Sequence, residues 1–533
     1  MRPMCPKDWT AVPIAPGRYA NAQPLVGFQR VDGLGGNPLH PTYGDTQFEA
    51  TLQGTHSALR ARYPGTRIGR YTIRMPYWSG QSVPIPGDYV LVDAPERLST
   101  TSITVVTVPQ RNIHTASTGF FFRGDTLPTL RERMRATPFR GIAGNLGYYY
   151  TADLLGHKHQ WSHNRRYAQF PLPPMPSYLG FHMTRDPDTD EMRASFGGAH
   201  PAAVGTRQDG CIDILPRLDI GGYRVRMAGQ ELAVDMVDSV RVAGGQHASQ
   251  HEIALFTPAC RTAQTKALIA ELEATGGRSE RWQTYAPQIP LDDIPERVNV
   301  FIANTGDGQV PVERIAAVWE GPAPLPSFGG VLSFRRDCFI SRYGAPASFA
   351  KTYLGQQVHV TPIGGTPFQE YRQILGGFVP VVVDGQHVCR APTVTETLKR
   401  LGEYGNATSP IAEAGRESRN FGPYIREPAG VLIATRDEIG WVLFDGRHEL
   451  SIGASVVDVA QLLYKLERAG AFGQAVEQAV FVDGGSALKV YHVESNGRRV
   501  RLDLLNRVAA GSRNGPGCDP DGLNLYSSLS LHL

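Results

Sequence analysis

A short loop near the carboxyl end of the sequence combines residue types that could do chemistry. The segment Asp483–Ser486 reads Asp-Gly-Gly-Ser and directly follows the apolar run Ala479–Val482. The run predicts a buried strand, so Asp483 is expected at a strand end, where rigid scaffolds commonly present catalytic carboxylates. Two adjacent glycines also let a ligand approach the main chain closely. The alternative is a plain β-hairpin with an Asp-Gly turn, in which Ala487–Val493 is the returning strand.

A second group of candidate residues consists of three closely spaced histidines, His157, His159 and His163. They suggest a metal site, but no nearby carboxylate or cysteine completes a ligand set, and basic residues follow. The alternative is a solvated loop with aromatic packing. The six cysteines are scattered without a Cys-x-x-Cys motif, which disfavours a zinc or redox centre. The sequence therefore predicts no metal site.

The elements that would position Asp483 form an ordered series. Val431–Ala434 and Trp441–Phe444 are expected to form a hairpin, and a helix is expected at about residues 455–469. Its start, Ser455–Asp458, resembles a capping box, and Gly470 marks its end. Apolar residues recur at helical spacing, namely Val456, Val459, Ala460, Leu463 and Leu466. We expect Val459, Leu463 and Leu466 to be buried, with the helix packed beside the strand that ends at Asp483.

Most other periodic segments have the pattern of β-strands. Further helices are expected at Thr129–Ala136 and Thr265–Ala274, and residues 391–424 are expected to form a long loop. β-Branched and apolar runs bounded by turn residues predict the remaining strands, namely Asp88–Asp93, Thr101–Val108, Tyr223–Met227, Leu232–Val237, Glu252–Phe256, Val298–Ala303, Gly329–Phe334 and Val379–Gly385. The predicted fold class is therefore α+β, with β-rich mixed sheets and a few packed helices.

The overall composition describes a globular protein. Of 533 residues, 41% are hydrophobic and 19% are charged, which excludes a disordered chain. A formal net charge of +3 gives no electrostatic case for binding nucleic acid or a membrane surface. No run of 18 apolar residues is present, so no transmembrane helix is expected. No signal peptide is visible at the amino end, which makes a cytoplasmic location the default and leaves non-classical export open.

Five segments near the carboxyl end follow one another in a fixed order, namely Arg426, Gly430–Ala434, Trp441–Arg447, Ser451–Gly453 and Val482–Ser486. This order resembles that of the phosphodiester glycosidase family, which includes the uncovering enzyme. Members of that family carry an arginine before a hairpin, Ser-x-Gly before a helix, and an Asp-Gly-Gly-Gly-Ser loop. Upstream likenesses are Gly144–Tyr149, Glu252–Pro258, Leu325–Ser333 and Leu375–Gly385.

The resemblance implies an enzyme that hydrolyses the bond between a sugar anomeric carbon and a phosphodiester, as in substrates of the N-acetylglucosamine type. It covers roughly residues 100–533, which we take as the catalytic domain, with residues 1–99 as an appended arm or small β subdomain. The implied partner is a small molecule or glycan that carries a sugar phosphodiester. No metal or organic cofactor is implied, and the oligomeric state stays open.

Within this resemblance, the chemistry assigns a role to each catalytic candidate. The planar guanidinium of Arg426 matches phosphate oxygens and stays charged. The Asp483 carboxylate would act at the anomeric carbon, either as nucleophile or as base for water. Asn145 offers both donors and an acceptor to sugar hydroxyls. Their alternatives are, in turn, a surface ion pair with Glu417 or Glu427, a turn former, and a locally satisfied turn residue.

Further candidates would bind the substrate and its phosphate. The main-chain N–H groups of Gly484 and Gly485 would donate to the phosphate, and the Ser486 hydroxyl would add one more hydrogen bond. Asn506 and Arg507 match an Asn-Arg pair of the family. Arg507 is either a second phosphate ligand or an ion-pair partner of Asp503.

Two other functions remain open. The loop at Asp483 has one glycine fewer than the family loop. This difference favours a carbohydrate- or phosphate-binding protein of the same fold without turnover. The other reading is a hydrolase of a different anomeric phosphate, such as a nucleotide sugar or a phosphate-linked glycan.

Overall fold

The computed structural model describes about half of the chain in separate stretches. These are residues 66–77, 97–120, 130–136, 139–147, 149–150, 177–178, 181–196, 202–235, 237, 252–257, 296–304, 310–321, 329–391, 400, 429–445, 453–454, 456–482, 484, 488–496, 499–506 and 527–533. The predicted helix Thr265–Ala274, the strand Asp88–Asp93, the three histidines and nearly all of the 391–424 loop lie outside these residues.

Strands dominate the described residues. In chain order they are β1 Arg67–Tyr77, β2 Arg97–Pro109, β3 Thr115–Phe120, β4 Gly141–Asn145, β5 Tyr149–Tyr150, β6 Ser177–Tyr178, β7 His182–Arg185, β8 Met192–Ala194, β9 Ala202–Arg207, β10 Ile212–Leu215, β11 Gly222–Met227, β12 Gln230–Val234, β13 Ile253–Phe256, β14 Arg297–Asn304, β15 Glu313–Glu320, β16 Gly330–Arg335, β17 Gln357–Ile363, β18 Tyr371–Phe378, β19 Pro380–Val383, β20 Gln386–His387, β21 Ala429–Thr435, β22 Glu438–Phe444, β23 Val476–Val482, β24 Val490–Ser495, β25 Val500–Leu504 and β26 Ser527–His532.

Four α-helices accompany these strands in the described residues. They are α1 Leu130–Ala136, α2 Arg336–Tyr343, α3 Pro346–Tyr353 and α4 Val456–Arg468. The β-rich α+β class expected from the sequence is thus confirmed at the level of the class. None of the helices among these residues is both long and apolar enough to cross a membrane.

The strands pair into four larger sheets and one two-stranded ladder, β5–β6. Sheet I has the order β1-β2-β22-β21-β23-β19-β20, and sheet II has the order β25-β24-β4-β26-β3. Sheet III is β10-β9-β18-β7-β8, and sheet IV is β12-β11-β17-β15-β14-β16-β13. β1 lies inside residues 1–99 and pairs with β2 along its whole length. The proposed domain division at residue 99 stays a prediction.

Two apolar cores hold the sheets together, and sheet III contributes to both. Val204 and Leu375 belong to the core that also contains Trp441 of sheet I and Val490 of sheet II. The neighbouring residues Ala203 and Ile374 belong to the core shared with sheet IV and with Phe339 and Phe349 of α2 and α3. Since successive strand residues point to opposite faces, sheet III is a middle layer. This explains why β18 is almost continuously buried instead of alternating.

Helix α4 confirms the periodicity prediction. It runs from Val456 to Arg468, and Val459, Leu463 and Leu466 are fully buried. Burying three such side chains contributes roughly 1.5–3 kcal/mol each, which is the main reason why this segment is helical. Glu467 in its last turn accepts a hydrogen bond of 2.8 Å from the main-chain N of Val476, the first residue of β23.

One strand prediction is wrong in its pairing. In the hairpin alternative, Ala487–Val493 returns beside the strand that ends at Val482, yet the strand in this segment, β24, lies in sheet II between β25 and β4. β23 lies in sheet I between β21 and β19. The chain between them therefore crosses from one sheet to another. Apolar alternation predicts a strand but does not specify its partner, because both sheets bury one face in the same core.

Candidate functional site

One edge of sheet I brings together three strand ends that are far apart in sequence. β21 runs antiparallel to both of its neighbours, so its first residues lie beside the last residues of β22 and β23. Ala429 pairs with Phe444, and Gly430 pairs with Val482. Arg426 precedes Ala429 by three residues, and Asp483 directly follows Val482. Both side chains lie outside the described residues, whereas the strand ends that precede and follow them are described.

The chain that leaves this edge passes over β21. A Cβ atom added at Gly430 would lie 2.4 Å from Leu488 Cδ1 and 2.7 Å from Val482 Cγ2. Leu488 is therefore packed against the glycine, and any larger residue at position 430 would displace it. This contact fixes the point at which the chain turns from sheet I toward sheet II.

Asn145, the last residue of β4, holds the crossing chain from one side. Its main-chain N donates to Lys489 O at 3.1 Å, and its side-chain Oδ1 accepts from Lys489 N at 3.2 Å. The side-chain oxygen of Asn145 thus accepts the hydrogen bond that a main-chain carbonyl oxygen would accept if the β4–β24 pairing continued. The side chain is completely buried. Asn145 therefore binds a segment that is distant in sequence, and these two hydrogen bonds are not those of a local turn.

Asn506 holds the same segment from the other side. Its Oδ1 accepts from Val490 N at 3.0 Å, and its Nδ2 donates to Leu488 O at 3.1 Å. Leu505 N adds a main-chain hydrogen bond of 2.8 Å to Val490 O. The three residues Leu488–Val490 are thus fixed by two buried asparagines.

Three buried polar residues near these strand ends were not selected from the sequence. Asp445 follows β22 at the same edge of sheet I, and its main-chain N donates to Ser102 O at 2.9 Å. Lys489 and Ser528 lie on either side of Asn145, in sheet II. All three are at most 1% exposed. The sequence pattern that could have identified them is a polar residue within or directly after a run of apolar residues. The same pattern identified Asp483.

β24 also contains a buried histidine, His492, whose imidazole is neutral near pH 7. Burial is the largest influence on His492 and lowers its pKa below the usual range. Glu494 and Asp503 oppose this shift, whereas Arg140 and Arg501 reinforce it.

The remaining predicted site residues are only partly described. Gly484 is half-buried, and Arg426, Asp483, Gly485, Ser486 and Arg507 lie outside the described residues. The Asp503 carboxylate, named above as one partner for Arg507, lies 3.3 Å from Arg501 Nε. Within the described stretches no cluster of three or more His, Cys, Asp or Glu side chains is arranged to hold a metal ion. Independence from a metal stays a prediction.

Comparisons with known proteins give no family assignment. No protein-family model and no curated protein matches the sequence. Among solved structures, the chain is similar to a hypothetical protein from Synechocystis, with 14% identity and a TM-score of 0.38 over 90% of this chain and 75% of that one. It is also similar to the zebrafish N-acetylglucosamine-1-phosphodiester α-N-acetylglucosaminidase catalytic domain auto-inhibited by its pro-peptide. That likeness has 10% identity and a TM-score of 0.33 over 91% and 88% of the two chains. Superpositions at TM-scores below 0.5 do not bear on function.

Proposed function

We propose that this protein is a hydrolase that cleaves the bond between a sugar anomeric carbon and a phosphodiester. The observation that carries the proposal is the pairing of Gly430 with Val482, which brings the start of β21 beside the end of β23. The residues that the sequence singles out for phosphate and for the anomeric carbon are attached to these two strand ends. The two strand ends are paired although most of a hairpin and a helix separate them in the sequence.

Chain length limits how far apart the two groups can lie. Three residues, from Arg426 to Ala429, span at most about 11 Å even when fully extended. Asp483 is one residue, about 3.8 Å, beyond Val482, and paired strands are about 5 Å apart. An arginine side chain is long enough to bridge much of the remaining distance. We therefore infer that both side chains serve one pocket at this edge.

In the proposed reaction, Arg426 binds the phosphate and Asp483 acts on the other side of the anomeric carbon. The C–O bond to the phosphate breaks, and its electron pair stays on the phosphate oxygen. Since a phosphate monoester leaves readily as an anion, strong general-acid assistance is not needed. Water supplies the new hydroxyl. If Asp483 acts as a base, its carboxylate takes the proton of the attacking water in a single step. If Asp483 acts as a nucleophile, water then displaces its carboxylate from the anomeric carbon, and the proton of that water passes to solvent.

The two asparagines are assigned a positioning role. Asn145 and Asn506 hold Leu488–Val490, which directly follows the Asp483 loop, and they make these contacts with buried hydrogen bonds. A loop of glycines is flexible by itself, so its geometry depends on how firmly its ends are held. The fixed exit would keep the Gly484 and Gly485 amides directed at the phosphate.

The proposal is tested with a panel of three substrates. The protein is incubated with an N-acetylglucosamine 1-phosphodiester, with a nucleotide sugar and with a neutral methyl glycoside, and free sugar is measured. We expect release from the phosphodiester and none from the neutral glycoside. Release from the nucleotide sugar alone would favour a hydrolase of a different anomeric phosphate. Binding of the phosphodiester without any release would favour a binding protein.

A further inference from the structure

One edge of sheet III is a short hairpin, β7–β8. β8 has only three residues and is the outermost strand of the sheet, where it pairs with β7. Met183 of β7 and Ala194 of β8 belong to the core shared with sheet IV, and Met192 packs against that core. Whatever holds β8 in place therefore also closes this edge of the core.

A histidine of sheet IV, His359 of β17, lies against this hairpin. Its Nε2 is 3.7 Å from the Oε2 of Glu191, the residue directly before β8. Within sheet IV, His359 is paired with Arg226 of β11, and Arg226 Nη2 lies 2.8 Å from His359 Nδ1. The His359 side chain is 15% exposed, so water replaces these contacts poorly. One imidazole thus links the hairpin of sheet III to two strands of sheet IV.

The contact with Arg226 decides the protonation state of the ring. A guanidinium has N–H donors and no acceptor, so His359 Nδ1 must accept the hydrogen bond. The ring proton is then on Nε2, the nitrogen that faces Glu191, and the imidazole is neutral. A second proton would place an N–H on Nδ1, opposite the Arg226 donor. Protonation therefore removes a hydrogen bond and brings two positive charges together.

The charged side chains that face His359 in the described part of the chain come from three segments. Arg226 lies on β11, Arg193 lies on β8, and Glu191 is the one anion among them. Arg193 is paired with Asp186 at 3.1 Å. Glu191 is also 3.9 Å from Arg226 Nη2, so its charge is shared between the arginine and the histidine. A protonated His359 would accordingly stand between a cation on the hairpin and a cation on sheet IV.

The direction of the pKa shift agrees with this geometry. Burial, then Arg193 and Arg226, lower the pKa of His359, whereas Glu191 and the main chain of Met192 oppose the shift. As the pH falls below the ordinary pKa of histidine, the unfolded chain takes up the proton more readily than the folded one. The stability that neutral His359 contributes is complete above that ordinary value and is lost as the pH falls through the folded one.

We propose that His359 is an acid-sensitive latch, which in its neutral form holds the β7–β8 hairpin against sheet IV and on protonation releases it. Release separates Arg193 from Arg226 and lets water reach the new N–H group. It also uncovers Met183, Met192 and Ala194 at the edge of the core. The latch does not depend on the proposed reaction.

Hydrogen exchange of the fragment covering residues 182–194 tests the latch at pH 7.5 and pH 5.5. Rates are corrected for the intrinsic dependence of amide exchange on pH. Loss of one hydrogen bond in a poorly hydrated position changes an opening equilibrium by about tenfold. We expect the hairpin of the unmodified protein to open about tenfold more at pH 5.5. Burial lowers the pKa of His182, in the same fragment, to about 3, so it stays neutral at both pH values. Residues 430–443 of sheet I, which include no histidine, are the internal reference.

Two variants should abolish the effect of acid for different reasons. His359→Asn keeps an oxygen that can accept from Arg226 but cannot take up a proton. Arg226→Gln leaves the histidine in place, and its amide can donate to the neutral Nδ1 or accept from the protonated one. The matched control is His114→Asn, which replaces an exposed histidine outside the hairpin and should keep the full effect.

The outcomes decide between the latch and a merely structural contact. Equal opening of the unmodified hairpin at both pH values would overturn the latch, as would an undiminished effect of acid in both variants. If His359→Asn already opens the hairpin at pH 7.5, Arg226→Gln is decisive. A hairpin that is closed at both pH values in Arg226→Gln supports the latch, and one that still opens at pH 5.5 refutes it.

Discussion

The positioning of the Asp483 loop can be tested by removing one asparagine. Asn506→Ala deletes the acceptor for Val490 N and the donor to Leu488 O, at 3.0 and 3.1 Å. Asn506 is only 4% exposed, so water replaces these bonds poorly. Each buried main-chain group left without a partner costs about 1–3 kcal/mol. Opening of the segment should therefore become easier by roughly 2–6 kcal/mol.

Hydrogen exchange of the fragment covering residues 488–495 measures this opening. A change of 2 kcal/mol, the lower bound, corresponds to about thirtyfold faster exchange. The matched control is Asn496→Ala in the same β24–β25 hairpin, where the exposed side chain accepts a hydrogen bond of 2.8 Å from Arg499 N. Because water can replace that bond, the control should change exchange of the fragment only slightly. Equal acceleration in both variants would refute the positioning role of Asn506.

The remaining predictions concern a buried acid, a close backbone contact and the phosphate ligand. Burial raises the pKa of Glu313 well above its usual range. The stability that the protonated Glu313 carboxyl contributes is therefore complete below its pKa in the unfolded chain, and it is lost as the pH rises through its pKa in the folded protein. Glu313→Gln should thus raise Tm at pH 9 and change it little at pH 4, whereas the exposed Glu320→Gln should show no such difference; an equal effect at both pH values would contradict this. Gly440→Ala should destabilise strongly, because its Cβ would lie 1.8 Å from Val106 O, whereas Gly221→Ala, with 3.7 Å to the nearest atom, should be tolerated in thermal unfolding; similar Tm values for both would be contrary evidence. Arg426→Lys should weaken calorimetric binding of a sugar phosphate about ten- to a hundredfold, since the charge stays and the planar fork is lost; unchanged affinity would remove Arg426 from the site.

The sequence predicts local elements well where one face is apolar at a fixed period. Helix α4 was predicted to within a residue at each end, because Val459, Leu463 and Leu466 recur at helical spacing and all three are buried. The hairpin β21–β22 was predicted for a similar reason, since its two apolar runs are separated by a short turn. These features depend on residues close together in the chain.

Pairing between distant segments could not be predicted in this way. The exit from the Asp483 loop joins a different sheet, and its partners Asn145 and Asn506 approach it from separate strands. Asn145 was proposed for its amide chemistry, whereas its bond to Lys489 depends on the register of β4 with β24. The sequence marks Lys489 only as a polar residue within an apolar run, and its neighbour Asn145 depends on the same register.

The most direct test of the proposed reaction is sugar release by Asp483→Asn, measured beside calorimetric binding of the same N-acetylglucosamine 1-phosphodiester. This substitution keeps the size of the side chain and its capacity to form a turn but removes the negative charge that acts at the anomeric carbon. We expect most of the turnover to be lost while affinity for the phosphodiester is retained. Normal sugar release by Asp483→Asn would contradict the glycosidase mechanism.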